Sequence, residues 1–111
     1  MENKKYFFAL DLKNDAVLIN EYITHHKKVW PEIIESIKDS HIEKLEIYLV
    51  ENRLFMIMET NVLFSFKKKH EADKNNDKVQ EWENLMWKYQ KAIPNSKPGE
   101  KWRLMNKIFE L

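Results

Sequence analysis

The chain has 111 residues, and 19 Lys and Arg against 18 Asp and Glu leave a formal net charge of +1. So even a balance gives no electrostatic basis for a nucleic-acid partner or an anionic membrane. Hydrophobic residues at 43% and aromatics at 13% exclude a disordered chain, and the lack of cysteine excludes thiolate chemistry, cysteine zinc sites and a disulfide framework. A reducing compartment is permitted. A chain of this length buries roughly two-thirds of its unfolded surface, enough for one domain over residues 1–111. Met1 to Lys5 lead into a short apolar run broken by Asp11, Lys13 and Asp15. That run is too brief for a secretory signal or for a span of about 20 residues, and a cytoplasmic protein is expected.

Tyr6 to Leu12 reads as a first strand. Asp15 then caps a helix running through Leu18, Tyr22 and Val29. Pro31 disfavours helical geometry at Trp30, so that helix stops or kinks there, and a second one restarts with Pro31 in its first turn and continues to about Asp39. Leu45 to Leu49 and Leu54 to Met58 are two strands joined around Glu51-Asn52 as a hairpin. Ser65 to Asp73 forms a short helix ended by Asn75-Asn76. Asp77, with Gln80 three residues on, resembles a capping box opening a helix to about Ala92. Pro94 to Glu100 is a loop, and Trp102 to Phe109 closes the chain as a fourth strand. The single glycine, Gly99, removes every Gly-rich phosphate loop from consideration.

The order β-α-β-β-α-β is the ferredoxin-like α+β plan. In the third strand Leu54, Met56 and Met58 alternate with Phe55 and Ile57; in the first, Tyr6, Phe8 and Leu10 alternate with Phe7 and Ala9. Helices cover one face of such a sheet. The second apolar face calls for a partner sheet or a pocket, and a homodimer with a sheet-to-sheet core is expected.

Tyr22, His26 and Trp30 fall at i, i+4 and i+8, near one face of a continuous helix. Histidine suits proton transfer near neutral pH, with a reference pKa of about 6.5. From spacing alone, a core in which Tyr22 and Trp30 are buried and His26 borders them is the stronger reading. On the last long helix Val79, Trp82, Met86, Tyr89 and Ile93 form an apolar stripe with Leu85 at its edge. Trp87 stands away from it among Glu83, Asn84, Gln90 and Lys91, which suits sugar stacking, a dimer contact or cover by the Pro94–Gly99 loop. His25 points elsewhere than His26, while His41, His70 and the run Lys67-Lys68-Lys69 read as solvated. No zinc-ligand spacing and no serine-nucleophile context appear, so neither metal nor covalent acyl chemistry is expected.

Glu21-Tyr22 followed by His26, Val29-Trp30-Pro31-Glu32, Ile47-Tyr48-Leu49, Leu54-Phe55 and Trp87-Lys88-Tyr89 together resemble the L-rhamnose mutarotases, along nearly the whole chain. The resemblance implies a dimeric α+β barrel architecture of ferredoxin-like type and interconversion of α and β anomers of a 6-deoxy sugar without metal or organic cofactor. His26 matches the family's catalytic proton donor, Tyr22 its substrate-contacting tyrosine, and Trp87 the second of its paired pocket tryptophans. Met86 replaces the first tryptophan of that pair, and Leu45 falls where a further pocket tyrosine stands. Both changes remove a donor and stacking area. They bear on recognition of the hydroxyls, which favours L-fucose over L-rhamnose, since the two sugars differ at C2 and C4. In the implied mechanism His26 protonates the ring oxygen and Tyr22 orients the ring. Trp87 and Trp30 supply aromatic surface, and Tyr48 is a weaker contact. Two other functions fit the same plan: a dimeric α+β barrel oxygenase or haem-degrading protein, and a non-catalytic sugar-binding module.

Overall fold

The computed structural model describes residues 2–111. Four helices lie against an antiparallel sheet. β1 (Lys4–Leu12) is its centre, flanked by β3 (Arg53–Thr60), which in turn pairs with β2 (Ile42–Val50) at the edge. On the other side of β1 the fourth strand position is shared by two fragments. β4 (Gln90–Lys91) pairs with Leu12 and Asp11, and β5 (Arg103–Leu104) pairs with Ala9 and Phe8. The resulting order β2-β3-β1-β4 is that of a ferredoxin-like α+β fold.

The elements follow from local chemistry. The Asp15 carboxylate accepts hydrogen bonds from the Val17 and Leu18 N–H groups and starts α1 (Ala16–Lys27). Trp30, at φ −57° and ψ 137°, has the extended geometry imposed on a residue before proline, and α2 (Pro31–Asp39) begins at Pro31. Val50 pairs with Arg53, so the hairpin loop is Glu51-Asn52 alone. Glu51 occupies the left-handed region at φ 53°. The Asn52 side chain donates to the Leu12 carbonyl and so ties the hairpin tip to the end of β1. Ser65 caps α3 (Phe66–Lys74).

Three expectations need correction. The cap of α4 (Asp77–Trp87) is Asn76, one residue before Asp77: its side-chain oxygen accepts from Lys78 and Val79 N–H. Gln80 completes no capping box there, because its amide donates to the Asp73 carbonyl. The helix ends at Trp87, not near Ala92. The Lys88 and Tyr89 N–H groups bond back to Leu85 and Met86 in a tightened turn, which swings Gln90 onto β1. Finally, the strand expected over Trp102–Phe109 is only Arg103–Leu104. Beyond Met105, whose N–H reaches the Phe7 carbonyl, the chain leaves β1, and Lys107 pairs with Glu110 inside the tail.

Side-chain alternation divides the sheet into two faces. Leu10, Leu12 and Leu54 are fully buried on the helix face with Tyr22, Ile33, Val79, Trp82 and Met86. Phe8, Ile42, Met56 and Met58 continue that core. On the opposite face Phe7 stacks on Phe55 at 6.0 Å and Tyr48 on Phe55 at 6.5 Å, with no helix over them.

Candidate active site

Between the helices and the inner face of the sheet lies a cavity of about 550 Å³, a size that suits small-molecule sites. α1 contributes Tyr22 and His26, α4 contributes Trp82, Glu83 and Met86, β4 contributes Gln90, and β2 contributes Leu45 and Ile47. Trp102, just before β5, also lines it. The one-turn spacing of Tyr22 and His26 brings their rings to 4.3 Å, and Trp82 meets the imidazole edge-on at 5.7 Å.

The imidazole has a fixed tautomer. His26 Nδ1 lies 2.8 Å from the Tyr22 carbonyl oxygen, which can only accept, so Nδ1 carries the hydrogen. Nε2 is then the nitrogen able to exchange a proton with a bound molecule. Two influences oppose each other at this ring. Position in the last turn of α1 and the bond to the Tyr22 carbonyl favour the imidazolium. Burial outweighs them, with His25 adding to it, and the pKa falls below its ordinary 6.5. Tyr22 is pushed the other way, up to about 12, mainly by burial and in part by the Glu83 carboxylate. It is therefore a neutral phenol at physiological pH, with its O–H hydrogen available to donate.

Gln90 is held beside Tyr22. Its backbone pairs with Leu12, its side chain is buried, and its Nε2 donates to the Tyr22 phenol oxygen at 3.3 Å. Among the described residues, Gln90 Oε1 is the buried side-chain polar atom left without a partner. An amide oxygen in that state costs about 1–3 kcal/mol relative to a paired one. Glu83 is fixed at the cavity by Lys101, whose ammonium lies 2.6 Å from its carboxylate and 2.9 Å from its carbonyl oxygen.

Of the residues singled out in the sequence, Tyr22, His26, Met86 and Leu45 are gathered at the cavity. Trp30 and Trp87 lie outside its lining. Trp30 packs edge-on against Trp82 at 5.1 Å, and the Lys101 ammonium sits 4.7 Å from the Trp87 ring centre. Tyr48 is on the opposite face of the sheet and half-exposed, stacked on Phe55, so the sheet separates it from the cavity. Asp11, which the sequence offered as one possible general base, is also turned away, held by the Arg53 guanidinium at 2.7 and 3.1 Å. Sequence reasoning placed Trp82 in the apolar stripe and assigned no role to Glu83, Gln90 or Trp102. Trp82 carried a usable signal, since Trp82 and Met86 are four residues apart on one helix face. Gln90 carried none: read as helical, it belonged to a polar surface.

An imidazole with its Nε2 free beside a neutral phenol, in an aromatic-walled hollow of a ferredoxin-like fold, is an arrangement able to exchange protons with a polar organic ligand. Known proteins narrow that class. The family model for L-rhamnose mutarotase matches residues 5–111. An L-fucose mutarotase of Xanthomonas campestris pv. campestris is 40% identical over 113 residues, covering 100% of this chain and 90% of that protein. An L-rhamnose mutarotase of Formosa agariphila is 29% identical over 82 residues, 69% of this chain and 72% of that one. The crystal structure of an L-rhamnose mutarotase from the same organism shares the fold, with a TM-score of 0.72 at 18% identity over 97% of this chain and 98% of that one. The chain belongs to the L-rhamnose mutarotase family, and it is an isomerase that interconverts sugar anomers. Family membership sets aside the oxygenase, haem-degrading and non-catalytic alternatives that the fold alone left open.

Proposed function

We propose that the chain interconverts the α and β anomers of a 6-deoxy-L-hexose in the cytoplasm, with L-fucose ahead of L-rhamnose. The observation that carries this reading is the likeness to the Xanthomonas L-fucose mutarotase along the whole chain. Met86 and Leu45, aliphatic or thioether surface where the resemblance to the rhamnose enzymes implied an indole and a phenol, support the choice of sugar: both line the cavity.

Mutarotation opens the pyranose to an aldehyde and recloses it on the other face. The ring oxygen must gain a proton, and the anomeric hydroxyl must lose one. His26 donates from Nε2 to the ring oxygen, keeping its Nδ1–H on the Tyr22 carbonyl throughout, and Tyr22 holds the ring through its phenolic hydrogen. Glu83, the cavity carboxylate that perturbs Tyr22, is the candidate acceptor of the anomeric proton. Trp82 and Trp102 supply aromatic walls for the C–H face of the sugar, with Trp30 and Trp87 as outer support. No metal enters this scheme. A positioned acid contributes roughly 10²–10⁴-fold, which suffices for a reaction that already proceeds in water.

The working unit is a homodimer formed through the outer sheet face. Phe7, Phe55, Ile57 and Tyr48 lie there without helical cover, and Ile108 and Phe109 of the tail are strongly exposed. Anomer-exchange NMR on L-fucose and L-rhamnose tests the reading. Exchange accelerated in proportion to protein concentration supports it, and line-broadening without acceleration contradicts it.

A further inference from the structure

We infer that Gln90 is a specificity-determining residue of the cavity, its side-chain amide receiving one hydroxyl of the sugar away from the anomeric carbon. Four observations meet at this residue. It lines the cavity, it is 5% exposed, its Nε2 is spent on the Tyr22 phenol oxygen, and its Oε1 has no partner. Buried amide oxygens are ordinarily paired, so an unpaired one in a cavity wall marks the place of a missing donor.

The pairing also sets what is offered to the ligand. Because the Tyr22 oxygen accepts from Gln90, the phenolic hydrogen remains free to donate. Tyr22 and Gln90 thus hold a donor and an acceptor side by side in the cavity wall, on α1 and β4. A hydroxyl group can accept from the first and donate to the second, and it matches whichever end of the amide faces it. An ether, a methyl group or a bare C–H satisfies neither. Gln90 is held in place by its burial and by the bond of its Nε2 to the Tyr22 phenol, on a backbone paired to Leu12 in the sheet. Sites that hydrogen-bond a substrate hydroxyl discriminate against analogues lacking it, because a buried polar group is then left unpaired. Gln90 is therefore a selecting contact for one ring position.

This inference rests on the mutarotase reading, and one experiment separates the two. Anomer exchange is measured for the better of L-fucose and L-rhamnose and for its 2-, 3- and 4-monodeoxy analogues, with wild type, Gln90→Leu and the shape-conserving Gln90→Met. Wild type is expected to lose about 10–100-fold in kcat/KM on one analogue and little on the others. In a Gln90→Leu chain that retains its circular dichroism and melting temperature, the parent sugar falls to the level of that analogue through KM, with kcat nearly kept, while the analogue itself is unaffected. Equal losses on every sugar, or a wild type that singles out no analogue, would overturn the role of Gln90 and leave the mutarotase standing. If Gln90→Leu does not fold, Gln90→Met is read by the same criteria, and a wild type that singles out no analogue overturns the role without either variant. Absence of wild-type exchange with any of these sugars overturns both.

Discussion

His26 combines two properties that pull its chemistry in a definite direction. The Tyr22 carbonyl fixes the hydrogen on Nδ1, and burial keeps the pKa below 6.5. If the imidazolium is the proton donor, it is the minority form at neutral pH and its population grows as the solution is acidified. Catalysed exchange per enzyme, corrected for the buffer reaction, should rise as pH is lowered from about 8 towards about 6.5 and level off below the His26 pKa. A rate that climbs with pH would make His26 a base. His26→Ala should lower the catalysed rate by about 10²–10⁴-fold with unchanged circular dichroism. Tyr22 should respond differently: Tyr22→Phe keeps the ring but loses the donor, so roughly a tenfold rise in KM is expected without any change in the pH profile. The Tyr22–His26 pair was legible in the sequence because four residues are about one helical turn, and α1 proved continuous across both. Trp30 lost its place on that face when Pro31 broke the helix, and Tyr48 was misplaced because a strand sends adjacent residues to opposite faces.

At the scale of elements, the site depends on where helices start and stop. Asp15 caps the helix that carries Tyr22 and His26, and it touches neither side chain's cavity face. Asp15→Ala should cost about 1 kcal/mol, read as a melting temperature lower by roughly 4 °C, with kcat/KM within about twofold of wild type. A tenfold loss of activity would mean that the cap also sets the site geometry. The Asp15 cap and the Pro31 restart were readable because each rests on a local rule of side-chain chemistry. The end of α4 was not. Leu85 to Ile93 holds no glycine, and its apolar spacing continues smoothly through Tyr89, so nothing local announces the stop at Trp87. The stop comes from tertiary pairing of Gln90 with Leu12, and it carries Gln90 from a helix surface into the cavity wall. The most informative residue of the site was hidden for that reason.

For the molecule as a whole, the element order sufficed to give the ferredoxin-like plan, while the split fourth strand position escaped because two paired residues are too short for any pattern. The alternation of Phe7, Phe55 and Ile57 also announced an outer apolar face, which the proposed homodimer covers. Phe55→Glu should weaken self-association by at least about 30-fold in sedimentation or light scattering, because it places a charge at the centre of that face. A wild-type chain that is monomeric at all concentrations would contradict the dimer. The central claim is narrower than the assembly: a buried imidazole transfers a proton to a cyclic 6-deoxy sugar. Saturation-transfer NMR between the anomers of L-fucose measures this directly. The account predicts exchange that scales with wild-type enzyme and drops to near the buffer rate with His26→Ala. Exchange in the folded His26→Ala chain equal to that of wild type would contradict it.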